Sequence, residues 1–166
     1  MLSIRLAEKR DFDFFFELKS EDFNVFWAGA SDKPEKEHLR RFFYDAVDHA
    51  GDLQARKIYI IENEDHEKVG HLYITPNGEE HGLPCAILQR FCGRGYAKEA
   101  IRLGFAEAKR LGFKRFVGAI REDNIASMKA YTACGARVTD KYRETFIPKL
   151  NKNVKMYIVV YDYHAD

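Results

Sequence analysis

Apolar and polar positions change period along this chain, and the changes predict its elements. Between Pro34 and Ala50, Leu39, Phe42, Phe43, Ala46 and Val47 recur three and four apart, the stripe of an amphipathic helix. The same spacing joins Ala97, Ile101, Gly104, Phe105, Ala108 and Leu111, with Gly112 as a stop. Gly104 inside that stripe costs about 1 kcal/mol against alanine, so close packing on a sheet is its expected reason. A shorter, Phe-rich helix is predicted over Asp11 to Leu18. Strand-like runs fall at Ser3 to Leu6, Lys57 to Glu62, Lys68 to Thr75, Leu83 to Gln89, Phe113 to Ile120, Ala136 to Phe146 and Val154 to Tyr161. Asn63 to Glu67 forms a polar turn, and Pro76-Asn77-Gly78 starts another. This order of elements predicts a mixed α/β sheet flanked by helices.

With 166 residues the chain reads as one domain, large enough to bury a sizeable core. Its net charge of +1, with acids and bases interspersed, offers no basic stripe for nucleic acid. No run approaches the roughly twenty apolar residues of a membrane span, and Met1 to Arg5 shows no secretory pattern. A soluble, cytoplasmic protein that touches neither membrane nor nucleic acid is expected. The 3 cysteines lack CxxC spacing, which argues against a disulfide framework or a zinc site, and no metal is predicted. Cys92 reads as structural. Phe12, Phe14, Phe15, Phe16, Phe23, Phe26 and Trp27 crowd the N-terminal end. A helix cannot point the first four to one side, so at least one is expected to line a groove or an interface.

Candidate chemistry begins where the Leu83 to Gln89 strand runs into Arg90-Phe91-Cys92-Gly93-Arg94-Gly95-Tyr96-Ala97-Lys98-Glu99-Ala100. Gly93 and Gly95 permit a tight turn, and the first N–H groups of the following helix lack intrahelical partners. Such a helix start attracts an anion, and Arg90, Arg94 and Lys98 add positive charge, so a phosphate is expected there. Two familiar nucleotide patterns fail on spacing. No window supplies a Walker-type loop, and Lys98 stands where a dinucleotide fingerprint needs Gly or Ala. Downstream, Asn124 is a good N-cap and Gly135 a good stop. Asn124, Ser127 and Tyr131, spaced three then four, share one face of the intervening helix.

Taken together, Arg90-x-x-Gly93-x-Gly95 with Tyr96-Ala97-x-Glu99-Ala100, then Asn124-x-x-Ser127-x-x-x-Tyr131-x-x-x-Gly135, resemble the GNAT superfamily of acyl-CoA-dependent N-acyltransferases. The likeness is to its branch of ribosomal-protein N-terminal and small-molecule acetyltransferases. It implies a single N-acetyltransferase domain over residues 1–166, with a mostly antiparallel central sheet flanked by helices. It also implies acetyl-CoA as acyl donor, its pyrophosphate on Arg90, Gly93, Arg94, Gly95, Tyr96, Ala97 and Lys98. The pantetheine arm would follow Leu88, Gln89 and Arg90 and meet Asn124 and Ser127. Tyr131 is implied as the general acid that protonates the departing thiolate, since a phenol with a pKa of about 10 keeps its proton at neutral pH.

This chain departs from the family pattern in two places. Cys92 stands where many members carry a basic residue or glutamine. The strand Leu83 to Gln89 has no carboxylate, where some relatives keep a glutamate base. Glu79, Glu80 and His81 read as a solvated turn. His71, alternating with Tyr73, reads equally as a half-buried sheet position or a catalytic one, so no base is assigned. An α-amino group with a pKa of about 8 is already partly neutral at pH 7, and water could suffice. The expected activity is direct acetyl transfer to a primary amine, on a small molecule or a peptide N-terminus, in a ternary complex. A non-catalytic acyl-CoA-binding module is the alternative. By analogy with relatives, Phe26 and Trp27 are candidates for shaping the acceptor pocket. Exposed strand edges near the C-terminus would permit a homodimer.

Overall fold

A computed structural model describes residues 1–164. β1 (Ser3–Leu6) leads through a 3₁₀ turn, Lys9–Asp11, into α1 (Phe12–Ser20), α2 (Asp22–Trp27) and α3 (Lys36–Asp48). β2 (Lys57–Glu62), β3 (Lys68–Asn77), β4 (Glu80–Gly82) and β5 (Cys85–Ile87) follow. Then come α4 (Tyr96–Arg110), β6 (Arg115–Arg121), α5 (Ile125–Ala133), β7 (Arg137–Ile147) and β8 (Lys152–Asp162). The strands form one 8-stranded sheet in the order β1-β2-β3-β4-β6-β8-β7, with β5 pairing β3 off that path. Every pairing is antiparallel except β4 with β6.

One strand feeds two partners, and this opens the sheet. β3 pairs β4 through Thr75–Asn77 and β5 through Gly70–Leu72. Only β4 reaches β6, where Glu80 and His81 face Arg115 and Phe116. Beyond that point β5 and β6 do not pair, so a cleft separates their facing edges. Hydrogen bonds from Tyr73 N to the Pro84 carbonyl and from Leu88 N to the Val69 carbonyl set the register of β5. By antiparallel alternation, Cys85 and Ile87 then turn their N–H and C=O groups away from β3, toward the cleft.

The two faces of the sheet bury separate cores. Leu72, Ile74, Leu83, Leu88 and Phe116 pack under α4 through Ile101, Phe105 and Ala108. On the opposite face Ile58, Ile60 and Tyr73 meet Phe12 and Phe15 of α1 and Leu39 and Phe43 of α3. The expectation for Gly104 holds in physical detail, since an added Cβ would lie 2.9 Å from both Leu83 methyl carbons. Of the crowded phenylalanines, Phe12 and Phe15 are buried, whereas Phe14 and Phe16 are half-buried.

Three sequence expectations need correction. The run Leu83 to Gln89 is not one strand: β5 covers only Cys85–Ile87, and Gln89–Phe91 is a 3₁₀ turn. Pro84, which has no N–H to give, falls in the break between β4 and β5. The turn residues Glu80 and His81 belong to β4, and His81 is only 1% exposed. Its Nδ1 donates to the Gly82 carbonyl at 2.9 Å, so Nε2 accepts from the Tyr163 hydroxyl at 2.8 Å. Burial lowers its pKa, and this ring is a structural rivet rather than a solvated base. Finally, the pattern predicts no helix over α2. Its 6 residues bury Val25 alone, too short a stripe for periodicity to register.

β7 closes one edge of the sheet, and nearly all of its 11 residues are exposed, including Val138, Tyr142 and Phe146.

Candidate active site

The glycine loop has the geometry that its composition requires. Gly93 and Gly95 both sit at φ +80°, a left-handed conformation that other residues adopt only under strain. A Cβ at either position would meet nothing within 4 Å, so the loop faces open space rather than a packed neighbour. Gly95 is the N-cap of α4, and the N–H groups of Tyr96, Ala97 and Lys98 emerge at the positive end of a 15-residue helix. A groove of about 390 Å³ runs past this turn, walled by Gly93, Gly95, Tyr96, Ala97 and Lys98 on one side. Ala126, Lys129 and Ala130 of α5 form its other side.

α5 presents its predicted face to a second cavity, of about 330 Å³, which is lined by Asn124, Ser127 and Tyr131. Asn124 caps the helix, its side chain accepting from the Ser127 N–H at 3.1 Å. Tyr131 is 7% exposed, and its ring stacks on Phe116 with centroids 5.5 Å apart. Its hydroxyl donates to the Leu83 carbonyl where the chain leaves β4. Burial holds this phenol well above its ordinary pKa, so the proton stays on the oxygen through the physiological range.

The remaining predicted residues are spread around these two spaces. Leu88 is fully buried, and its N–H is spent on Val69. The Gln89 N–H donates to Glu21 at 3.1 Å. Arg90 pairs with Glu17 at 3.3 Å, both largely exposed, and shares the Phe91 ring with Arg94. Neither arginine lines the groove, whereas Lys98 does. Cys92, exposed and on the groove wall, rests its sulfur 3.6 Å from the Leu88 carbonyl, and partial burial raises its pKa.

Several cavity walls gave no sequence signal. Cys85 of β5 lines the 330 Å³ cavity, and burial pushes its thiol up to about 12. Arg121, 4% exposed, donates to both Asp123 oxygens at 3.0 and 2.8 Å and to the Phe26 carbonyl at 2.8 Å. Its guanidinium also sits 4.9 and 4.8 Å from the Phe26 and Trp27 rings. Trp27 reaches the cavity, while Phe26 stands behind it. Lys19, Ile147 and Met156 complete the wall from α1, β7 and β8. His71 is on this wall too, 2% exposed rather than half-buried. Both its ring nitrogens lack partners, and burial with the Lys19 charge beside it holds its pKa well below the ordinary value.

A sheet opened between β5 and β6, an anion-ready helix start on one side and a polar-lined cavity on the other define an acyl-transfer fold. The profile of the family described as acetyltransferase (GNAT) domain matches residues 2–137. The chain belongs to that family. Among solved structures it is similar to spermidine N-acetyltransferase from Vibrio cholerae in complex with CoA and spermine. That likeness has a TM-score of 0.85 at 14% identity, over 97% of this chain and 95% of that one. It is also similar to ribosomal-protein-alanine N-acetyltransferase from Brucella melitensis, with TM-score 0.80, 14% identity and coverage of 97% and 99%. A phosphinothricin acetyltransferase from Sinorhizobium meliloti in complex with AcCoA gives TM-score 0.81, 13% identity and coverage of 97% and 88%. No curated protein sequence matches the chain significantly. Among the described residues, no helix is long and apolar enough to cross a membrane.

Proposed function

We propose that this protein is a cytoplasmic N-acetyltransferase that moves an acetyl group from acetyl-CoA directly to a primary amine. One observation carries the reading: the open glycine cradle at the start of α4 and the Asn124-Ser127-Tyr131 face of α5 border adjoining spaces beside the cleft. Gly93, Gly95 and the N–H groups of Tyr96, Ala97 and Lys98 fit a pyrophosphate, with Lys98 as the nearby cation. The cleft-facing edge of β5 and Asn124 suit an amide-bearing arm. Leu88 has no N–H to offer, so on this side Cys85 and Ile87 replace it. Three unpaired cysteines fit a reducing compartment.

When bound, acetyl-CoA supplies an activated carbonyl and a thiolate leaving group. The N–H groups of Cys85 and Ile87 are the donors available to the carbonyl oxygen. Tyr131 keeps its proton and can turn its hydroxyl from Leu83 to give it to the departing sulfur, while the proton shed by the attacking amine returns through water to the phenolate. Cys85 stays a thiol, which disfavours an acyl-cysteine relay and supports direct attack by the amine. No side chain is assigned as base, because both His71 nitrogens are buried and burial holds its pKa well below the ordinary value. The exposed β7 edge supports homodimer formation. A related spermidine N-acetyltransferase from Vibrio cholerae is described as dodecameric.

The test is a thermal shift with acetyl-CoA against ADP, followed by thiol release with an amine panel. At about 100 times its dissociation constant, acetyl-CoA should add about 2.7 kcal/mol. Failure of acetyl-CoA to stabilise the protein overturns the reading. Stabilisation without thiol release from any amine leaves a binding module instead.

Gly95→Val checks the cradle separately. Forcing a β-branched residue to φ +80° should cost about 1–3 kcal/mol. The variant should remain folded by circular dichroism yet lose acetyl-CoA stabilisation. Retained stabilisation removes the loop from the cofactor site.

A further inference from the structure

The charges around the 330 Å³ cavity are unbalanced in one direction. Its walls contain Lys19 and Arg121 but no aspartate or glutamate. Arg121 is already neutralised by Asp123 and also donates to the Phe26 carbonyl. Lys19 has no carboxylate partner among the described residues. Its ammonium rests 5.0 Å from the Tyr73 ring and 5.7 Å from the Phe15 ring, within reach of their quadrupoles. Burial, and behind it the Arg56 charge, pull it down to about 8, as befits a cation lacking a counterion.

The neighbouring groups share the same deficit. His71 stacks on Tyr73 with centroids 4.8 Å apart, and neither ring nitrogen has a hydrogen-bond partner. The Tyr73 hydroxyl is buried and unpartnered as well. A neutral imidazole has one N–H, a phenol one O–H and an ammonium three N–H groups. Of these groups Lys19 and His71 line the cavity, and it is Lys19 that brings three N–H groups to a wall without a carboxylate. Leaving an ammonium unpaired is costly, so Lys19 is incomplete without an anionic, acceptor-rich partner.

We propose that the amine acceptor is a small molecule that also carries a carboxylate, and that Lys19, beside His71, receives this anionic group. The inference rests on the transferase reading and narrows its acceptor. The cavity volume falls within the range of small-molecule sites. A polyamine or aminoglycoside would bring further cations against Lys19 with no wall carboxylate to meet them. The acceptor would lie with its carboxylate at the α1 end and its amine toward Cys85 and Tyr131, which line the same space.

The experiment compares matched ligands that differ only in the carboxylate, in calorimetric titrations without acetyl-CoA. Suitable pairs are L-phenylalanine against 2-phenylethylamine and L-lysine against cadaverine, with spermidine as a polycation and Asp-Ala-Ala as an acidic peptide. The carboxylated member should bind at least tenfold more tightly in each pair. Lys19→Met should erase that preference without lowering Tm, and Lys19→Arg should retain most of it. Equal or tighter binding of the decarboxylated members or spermidine overturns the proposal, as does a preference surviving in Lys19→Met. Binding of none of the small amines also overturns it, and tighter binding of the peptide overturns its small-molecule part. Thiol release from acetyl-CoA is measured separately, so failure of the transferase reading is distinguishable from failure of this acceptor class.

Discussion

Tyr131→Phe should lower kcat by about 10²- to 10⁴-fold, the usual contribution of a positioned general acid, while acetyl-CoA affinity changes little. The reason is the state of the phenol. Burial keeps it protonated, and Tyr131 lines the same cavity as Asn124 and Ser127. Phenylalanine preserves the stack on Phe116 and removes only the oxygen. The same change strips the Leu83 carbonyl of its donor, so a loss of about 1–3 kcal/mol in stability should accompany it. Pre-steady-state thiol release, read beside a thermal shift with acetyl-CoA, separates the two effects. A variant that is less stable but turns over at the wild-type rate would leave Tyr131 as a structural hydroxyl only.

The second large effect is expected far from the cavity, at Asp11. This carboxylate is 0% exposed and bonds Arg5 of β1 at 2.8 and 2.9 Å and Lys68 of β3 at 2.7 Å. It also accepts from the Glu8 N–H at 2.8 Å, and Arg5 in turn pairs with Glu62 of β2. Asp11 thus ties the start of α1 to β1 and β3 directly and to β2 through Arg5. Asp11→Ala should cost about 3 kcal/mol, the lower end for breaking a buried pair, because Arg5 keeps Glu62.

Burial by itself would raise the Asp11 pKa, but the hydrogen bonds from Arg5 and Lys68 outweigh it and hold the group well below the usual carboxylate range. A depressed folded pKa contributes stability that is present above the ordinary aspartate value of 3.8 and is lost as pH falls below it. The gap between wild type and Asp11→Ala should therefore be widest near pH 7 and shrink toward pH 3. Urea denaturation at pH 7, 5 and 3 measures it. A gap independent of pH would show that packing, not charge, sets the role of Asp11. Because α1 also carries Lys19, loosening this anchor should weaken acceptor binding as well.

Much of the candidate site around the glycine loop and α5 was legible along the chain because its chemistry is local. Gly93 and Gly95 are needed for a left-handed turn, whatever packs nearby, and Asn124 caps the helix that starts beside it. Ser127 and Tyr131 follow Asn124 at helical spacing, so one face of α5 could be drawn before any fold was known. The apolar stripe of α4 likewise announced its buried side, and Gly104 its contact with the sheet. In each case the signal and its consequence lie within a few turns of backbone.

Only the tertiary structure decided the 330 Å³ cavity. β4 is 3 residues long and exists because β3 on one side and β6 on the other hold it, so His81 looked like part of a turn. Lys19, His71, Cys85, Arg121 and Met156 come from five different elements and meet only when the sheet splays between β5 and β6. No periodicity links them, because their proximity depends on strand order. The same holds for Arg121, whose carbonyl partner, Phe26, lies 95 residues away. Backbone conformation and helix faces follow from neighbours in sequence, which is why the sequence alone determined the glycine loop, the capped helix and the family likeness. The cavity's charge, its unpartnered donors and its missing carboxylates are sums over distant segments, and such sums exist only once long-range pairing has brought those segments together.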